Sequence, residues 1–246
     1  MIYVKRWLKY YEELFPVQPN RLDLILELEK SFGAAVKLLS VECGPAQTSL
    51  KLAETHQDIT VIDSHEEFIS RILNNARKAG TGVHAFNMSS SDISRYFAKN
   101  YFNIIMCCNY RLIFLKNRSL VKKFLMDAKY LLTDGGYLIL DLINFSKLDF
   151  NEQKVDLPVR KGKDVTLYSE IIRDNTTAQY KLYQRVVTAD GKVFDDIKDE
   201  EVIPISCETL KSYANELGFT SIEFYSDYLR TPLSADSDKV ICLLKK

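Results

Sequence analysis

The chain has 246 residues, 46% of them apolar, with 33 Lys plus Arg set against 33 Asp plus Glu. That length suits one large domain, or one domain with an insert, and the apolar share is enough for a full core. The zero formal charge gives no basic surplus for nucleic acid, and the odd count of five Cys (43, 107, 108, 207 and 242) argues for reduced thiols in a cytoplasmic protein rather than a disulfide framework.

Residues 2–15 place Trp7, Tyr10, Tyr11, Leu14 and Phe15 on one broad helical face. Pro16 and Pro19 punctuate that run. Asn20 is placed to cap a second helix that packs through Leu22, Ile25, Leu26 and Leu28. The pair either packs on the main body or forms a lid over a substrate. Charges interrupt the first apolar run, so it is not a signal peptide, and no stretch reaches the length of a membrane span.

Next comes the stretch around which the chain is organised, Lys37 to Ala53. Leu38-Leu39-Ser40-Val41 is a short buried-type strand. It breaks at Glu42-Cys43-Gly44-Pro45 and resumes as a helix through Leu50, Leu52 and Ala53. Gly44 tolerates the backbone of a tight turn, and such a turn sets helix amides beside a strand end. Ile59 to Asp63 is the second strand. Ser64 and Glu67 have capping-box spacing, and Phe68, Ile72, Leu73 and Ala76 supply the next helix's buried stripe up to Gly80. Asp63 ends its strand roughly twenty residues past the first turn, where dinucleotide folds place an acid on ribose hydroxyls.

Val83–Phe86 and Phe102–Cys107 read as further strands, the latter a continuous apolar run as buried parallel strands require. A helix follows over about Ser119–Leu132, and Asp134-Gly135-Gly136 turns into the strand Tyr137–Asp141. Strand and helix alternate, so the class is α/β with a parallel sheet. After Asn144 the pattern becomes polar-rich alternation, with Asp190-Gly191 marking a hairpin. That is a small antiparallel insert. Pro204 and Ser206 introduce a last helix that ends at Gly218, and two strands close the chain. No Cys-x-x-Cys or paired-His spacing marks a metal site, and His56, His65 and His84 stand far apart.

These motifs resemble those of class I S-adenosylmethionine-dependent methyltransferases, over most of the chain. The first family motif stands as Leu38-Leu39-Ser40-Val41-Glu42-Cys43-Gly44-Pro45-Ala46, followed by Leu50-Lys51-Leu52-Ala53. The second stands as Val61-Ile62-Asp63-Ser64, with a helix ending at Ala76-Arg77-Lys78. Phe102-Asn103-Ile104-Ile105 and Leu131-Leu132-Thr133-Asp134-Gly135-Gly136-Tyr137 match two more. The tail, with its final helix ending at Leu217-Gly218-Phe219, resembles small-molecule members that carry a β insert.

The resemblance implies a doubly wound, mostly parallel, seven-stranded Rossmann-like sheet with an antiparallel last strand. It divides the chain into an N-terminal helical lid (1–34), a cofactor-binding core (35–144), the β insert (145–205) and a C-terminal completion of the sheet (206–246). It implies S-adenosylmethionine as cofactor, S-adenosylhomocysteine as product, a small-molecule methyl acceptor and no membrane. The insert and N-terminal helices would be the surfaces for any homodimer. The cofactor positions it points to are Glu42, Gly44, Asp63, Ser64, Asn87, Met88, Cys107 and Asn109. Asn87 stands where the family usually has Asp.

The first motif departs from the family pattern. With Cys43-Gly44 setting the register, Ser40 replaces the acid, and Glu42 and Ala46 replace the first and third glycines. A second register makes Glu42 the acid itself. The first also aligns the Leu-x-Leu-Ala helix and Asp63, so we adopt it. Glu42 then pairs with the cofactor's ammonium or sulfonium, blocks the pocket, or makes a structural hydrogen bond. In each case an unpaired buried carboxylate is costly, so a partner is expected. Methyl transfer requires alignment and water exclusion rather than a fixed triad, and no catalytic base is assigned. The competing expectation is a non-catalytic relative that kept the fold. A nicotinamide-dependent dehydrogenase would need G-x-G-x-x-G, of which only Gly44 is present.

Overall fold

The computed structural model describes residues 4–33, 35–55, 58–148 and 153–246. His56 lies outside them, as does the side chain of Trp7. Helices α1 (Val4–Leu14) and α2 (Pro19–Glu29) precede β1 (Lys37–Val41), α3 (Gln47–Ala53), β2 (Asp58–Asp63), α4 (Glu66–Ala79) and β3 (His84–Asn87). A 3₁₀ turn, Ser90–Arg95, leads to β4 (Phe102–Cys107), and a second, Arg111–Phe114, leads to α5 (Arg118–Leu131) and β5 (Leu132–Ile143).

The insert comprises β6 (Lys154–Asp156), β7 (Arg160–Lys161), β8 (Val165–Arg173), β9 (Tyr180–Thr188) and β10 (Val193–Val202). Then follow α6 (Cys207–Leu217), β11 (Ser221–Tyr225) and β12 (Lys239–Lys245).

The main sheet has seven strands in the order β11-β12-β5-β4-β1-β2-β3. The pairs from β5 to β3 are parallel, and β12 runs antiparallel between β5 and β11. Successive residues of each strand face opposite sides. Leu39, Ile105, Leu138, Leu140 and Cys242 pack with α5 and α6, whereas Leu38, Ile59, Ile104, Ile139 and Leu243 pack with α2, α3 and α4. Both faces are covered, which is why these strands read as apolar runs. Order and direction are those of the expected doubly wound Rossmann-like sheet.

Some boundaries differ from expectation. Asn20 does not cap α2: Pro19 is the first helical residue, suited to that position by its fixed φ and missing N–H, and Gln18 stands at the cap without a side-chain bond. Ser64 makes no capping box either. His65 occupies the cap position, and the Asp63 carboxylate, two residues earlier, accepts the His65 N–H at 2.9 Å. The start of α4 is thus held through the buried Asp63, while Ser64 is exposed. Ser206, by contrast, caps α6 by accepting the Thr209 N–H at 3.2 Å.

The insert is an antiparallel sheet, β10-β9-β8-β6, with β7 paired to β8, and β9 and β10 joined across Asp190-Gly191. Two apolar clusters fasten it to the core. In one, Tyr11 and Leu14 of α1 and Phe68 of α4 meet Val165, Leu167 and Val186. In the other, Ile113, Ile143 and Phe145 meet Leu157, Ile171, Leu182 and Ile197. Helix α1 therefore packs between core and insert. Ion pairing of Glu12 with Arg71 at 2.5 Å, and a bond from the Asp164 N–H to Glu13 at 2.8 Å, hold it there. No helix among the described residues is long and apolar enough to cross a membrane.

Candidate active site

The parallel strands β1, β2 and β4 end together, and their carboxyl ends carry Glu42, Asp63 and Cys107. The turn after β1 keeps a glycine-like backbone without the glycines: Glu42 (φ 50°) and Ala46 (φ 51°) are left-handed, as is Gly44 (φ 57°). A side chain in that region costs about 1–2 kcal/mol. The Gly44 N–H donates to Asp63 Oδ2 at 2.8 Å, so turn and strand-end acid converge. Asp63 is fully buried; its Oδ1 accepts the N–H of His65 and faces the ring Nδ1, both at 2.9 Å. That bond raises the His65 pKa above its usual value.

Glu42 has its partners. Its Oε1 accepts the Ser90 N–H at 3.3 Å, and its Oε2 lies 3.7 Å from Arg111 Nη2. Arg111 follows two consecutive left-handed residues, Asn109 (φ 59°) and Tyr110 (φ 63°), a bend that swings the guanidinium back over the strand ends. Burial pulls its pKa down, but the Asp63 and Glu42 carboxylates outweigh that and leave it raised. The Arg111 Nε is buried without an acceptor. From α1, the Tyr11 hydroxyl covers Gly44, 2.9 Å from where a Cβ would stand.

The other expected positions sit around this centre. Asn87 Nδ2 and the Met88 N–H both donate to the Asp63 carbonyl at 3.0 Å, which fixes the end of β3 beside β2. Ser64 is exposed at the rim. Cys107 is buried, and burial lifts its pKa well above normal. Asn109 accepts from Arg21 Nη2 at 2.9 Å.

Arg21 belongs to a buried network that sequence reading did not reveal. It pairs with Asp141 Oδ2 at 3.1 Å and donates to the Tyr228 hydroxyl at 2.8 Å, while that hydroxyl donates to Asp141 at 2.7 Å. This network ties α2, β5 and the β11–β12 loop together beneath the site.

Beside the strand ends, between core and insert, lies a cavity of about 420 Å³. Its walls are mostly apolar and aromatic, with Phe15, Phe68, Tyr110 and Phe114 among them. Tyr11, His65 and Arg111 line it too, so the residues that cover Gly44, Asp63 and Glu42 on one side face the cavity on the other. Sequence reading missed Arg111, Tyr110 and Asp196 of this wall, because no local motif marks them.

A doubly wound sheet with this strand order, a turn that approaches a strand-end acid, and a pocket beside the carboxyl ends define a Rossmann-like nucleotide-binding architecture. Residues 38–136 match the family described as Methyltransferase domain. A glycine/sarcosine N-methyltransferase of Halorhodospira halochloris is 25% identical over 90% of this chain and 79% of that protein.

Among solved structures, an S-adenosylmethionine-dependent methyltransferase from Clostridium acetobutylicum superposes with a TM-score of 0.78 at 20% identity, covering 98% of each chain. The CcbJ methyltransferase of Streptomyces caelestis gives a TM-score of 0.79 at 15% identity, covering 97% of this chain and 95% of that one. The chain thus carries a methyltransferase-domain match over residues 38–136 and has the fold of S-adenosylmethionine-dependent methyltransferases.

Proposed function

We propose that the protein transfers a methyl group from S-adenosylmethionine to a small molecule held in the cavity between core and insert. The observation that carries this is the shared wall: Tyr11, His65 and Arg111 separate the cavity from the strand-end turn, so acceptor and donor would meet there. The N-methyltransferase activity in the name of the Halorhodospira relative supports a small acceptor.

The chemistry of the crevice fits the cofactor. Glu42 and Asp63 set two carboxylates at neighbouring strand ends, and both raise the pKa of the Arg111 guanidinium beside Glu42. The Arg111–Glu42 contact, at 3.7 Å with Nε lacking an acceptor, is loose enough to be exchanged. Bound there, the cofactor supplies a methyl group already activated by its sulfonium charge. Glu42 would take the ammonium, and Asn87 and Met88 would flank the adenine. Three of the roughly four acceptor positions on the Asp63 carboxylate are used by Gly44 and His65, which leaves one for a ribose hydroxyl. Tyr11 and Arg111 withdraw to admit it. The aromatic walls exclude water and hold the acceptor in line.

The same reading places the protein in the cytoplasm, in keeping with five free thiols. It involves no nucleic acid, since the charge is balanced. Pairing of two copies through the insert is supported by the position of β10, which is an edge strand among the described residues.

The test is thermal melting with S-adenosylhomocysteine. Ligand at a hundredfold over its dissociation constant adds about 2.7 kcal/mol of stability. No shift at millimolar ligand favours a methyltransferase-like protein whose crevice stays filled by Arg111 and Tyr11.

A further inference from the structure

Strand β10 breaks its own alternation. Asp195 pairs with Arg185 and Ile197 pairs with Gln184, the very next residue back, so Asp196 is the extra residue of a β-bulge. The bulge turns two consecutive side chains, Asp196 and Ile197, inward, while Asp195 and Lys198 stay exposed. Both inward residues line the cavity.

Asp196 is 6% exposed, and neither carboxylate oxygen has a hydrogen-bond partner among the described residues. Burial alone pushes its pKa up to about 8. A bulge that delivers a carboxyl group into an apolar hollow, with no donor to meet it, leaves the donor to come from outside.

The other charges facing the cavity are engaged. Arg111 faces Glu42, His65 holds Asp63, Asp238 pairs with Lys147 at 2.5 Å, and Lys239 lies over the Tyr228 ring. Arg160 rests over Phe15 at 4.5 Å and Tyr110 at 5.3 Å, which shows that these rings accept a cation. A neutral hydroxyl would use one oxygen of Asp196. An ammonium donates more than one bond and also supplies the charge that favours the ionised carboxylate over the protonated one, and such bonds are the stronger kind.

We infer that Asp196 anchors the acceptor and that the acceptor is a cationic amine, its ammonium at the β10 bulge and its apolar body against Phe15, Phe68 and Phe114. This rests on the methyltransferase reading above and names its substrate class.

The probes are matched pairs, 2-phenylethylamine with 2-phenylethanol and cyclohexylmethylamine with cyclohexylmethanol. Each is titrated calorimetrically at pH 7 into the full chain, with and without S-adenosylhomocysteine. The amine of at least one pair should bind at least tenfold tighter than its alcohol. Asp196→Asn should abolish that preference, and Asp195→Asn, on the exposed side of the strand, should keep it. Asp196→Ser serves if the Asn variant fails to fold. No preference in either pair, or a preference that survives loss of the Asp196 carboxylate, overturns the inference. S-adenosylhomocysteine binding without amine preference overturns this inference alone. Amine preference without product binding overturns the transfer reading and leaves the amine site standing.

Discussion

Arg111 reaches back across the first turn to Glu42, which the adopted motif register sets against the family's first glycine, and the two charges stand 3.7 Å apart with side chains only 18% and 15% exposed. One departure from the motif is thus matched by another residue of the same chain. On the proposed reading, the guanidinium and the cofactor's ammonium compete for one carboxylate. Removing the competitor therefore raises the competent fraction of the protein. Arg111→Ala should bind S-adenosylhomocysteine about tenfold more tightly than the unaltered chain. Calorimetric titration of both decides it, and equal or weaker binding would show that Arg111 does not compete.

Asp63 supports the turn before it touches any ligand. Its oxygens accept the Gly44 and His65 N–H groups, and a buried amide left without an acceptor costs about 1–3 kcal/mol. Asp63→Ala should lose about 2–4 kcal/mol in chemical denaturation and weaken product binding as well. Asp58→Ala, on the same strand, gives up among the described residues a contact to Lys37 at 3.9 Å and should stay within about 1 kcal/mol. Equal effects on product binding would remove Asp63 from the cofactor site.

The His65 ring bonds to Asp63, which raises its pKa above the unfolded value of about 6.5. Burial and Arg111 act the other way, and Glu42 adds to the rise. The folded chain holds this proton more tightly than the unfolded one. The stabilisation is fully present below about pH 6.5 and fades as pH climbs through the folded-state value. The stability difference between the unaltered chain and His65→Gln should therefore shrink as pH rises from 6 to 8. A difference flat over that range would mean that the ring does not titrate against Asp63.

Asp196 behaves with a separate window. Its folded-state pKa of about 8 stands above the ordinary 3.8, through burial alone. Between these values the folded state keeps a proton that the unfolded state has lost, so this group makes stability fall as pH rises and level off past 8. Asp196→Asn should match the unaltered chain near pH 4 and exceed it by a few kcal/mol, roughly, at pH 8. Melting curves across that range check it; a constant offset would contradict the buried, unpaired carboxyl.

Gly44 and Ala46 share the left-handed backbone but not the side chain. Gly44→Ala should cost about 1–2 kcal/mol and displace the Tyr11 hydroxyl from above the turn. Ala46→Gly relieves the same penalty, offset in part by the freer unfolded chain, and should lie between neutral and about 1 kcal/mol stabilising. Denaturation midpoints of the two variants moving in the same direction would refute the shared-turn argument.

The chain's own pattern settled the order of its elements. Leu38–Val41, Ile59–Ile62 and Phe102–Cys107 are apolar without alternation because both faces of a parallel strand are covered, and Gly44, Gly218 and Asp190-Gly191 mark breaks whose backbone demands are local. The acid at the end of β2 was legible for the same reason: its place depends on a strand and a turn within twenty residues. Arg21, Arg111, Tyr228 and Asp196 were not legible. Arg21 meets Tyr228 across 207 positions and Asp141 across 120, and Arg111 finds Glu42 only after a bend of two left-handed residues. Asp196 looks like one of a solvated acidic pair in KVFDD, and a one-residue bulge sends it inside while Asp195 stays out. Periodicity and turn chemistry act over a few residues, whereas the partner of a buried charge is chosen by whatever element packs against it, and that is decided only when the sheet, α1 and the insert close together.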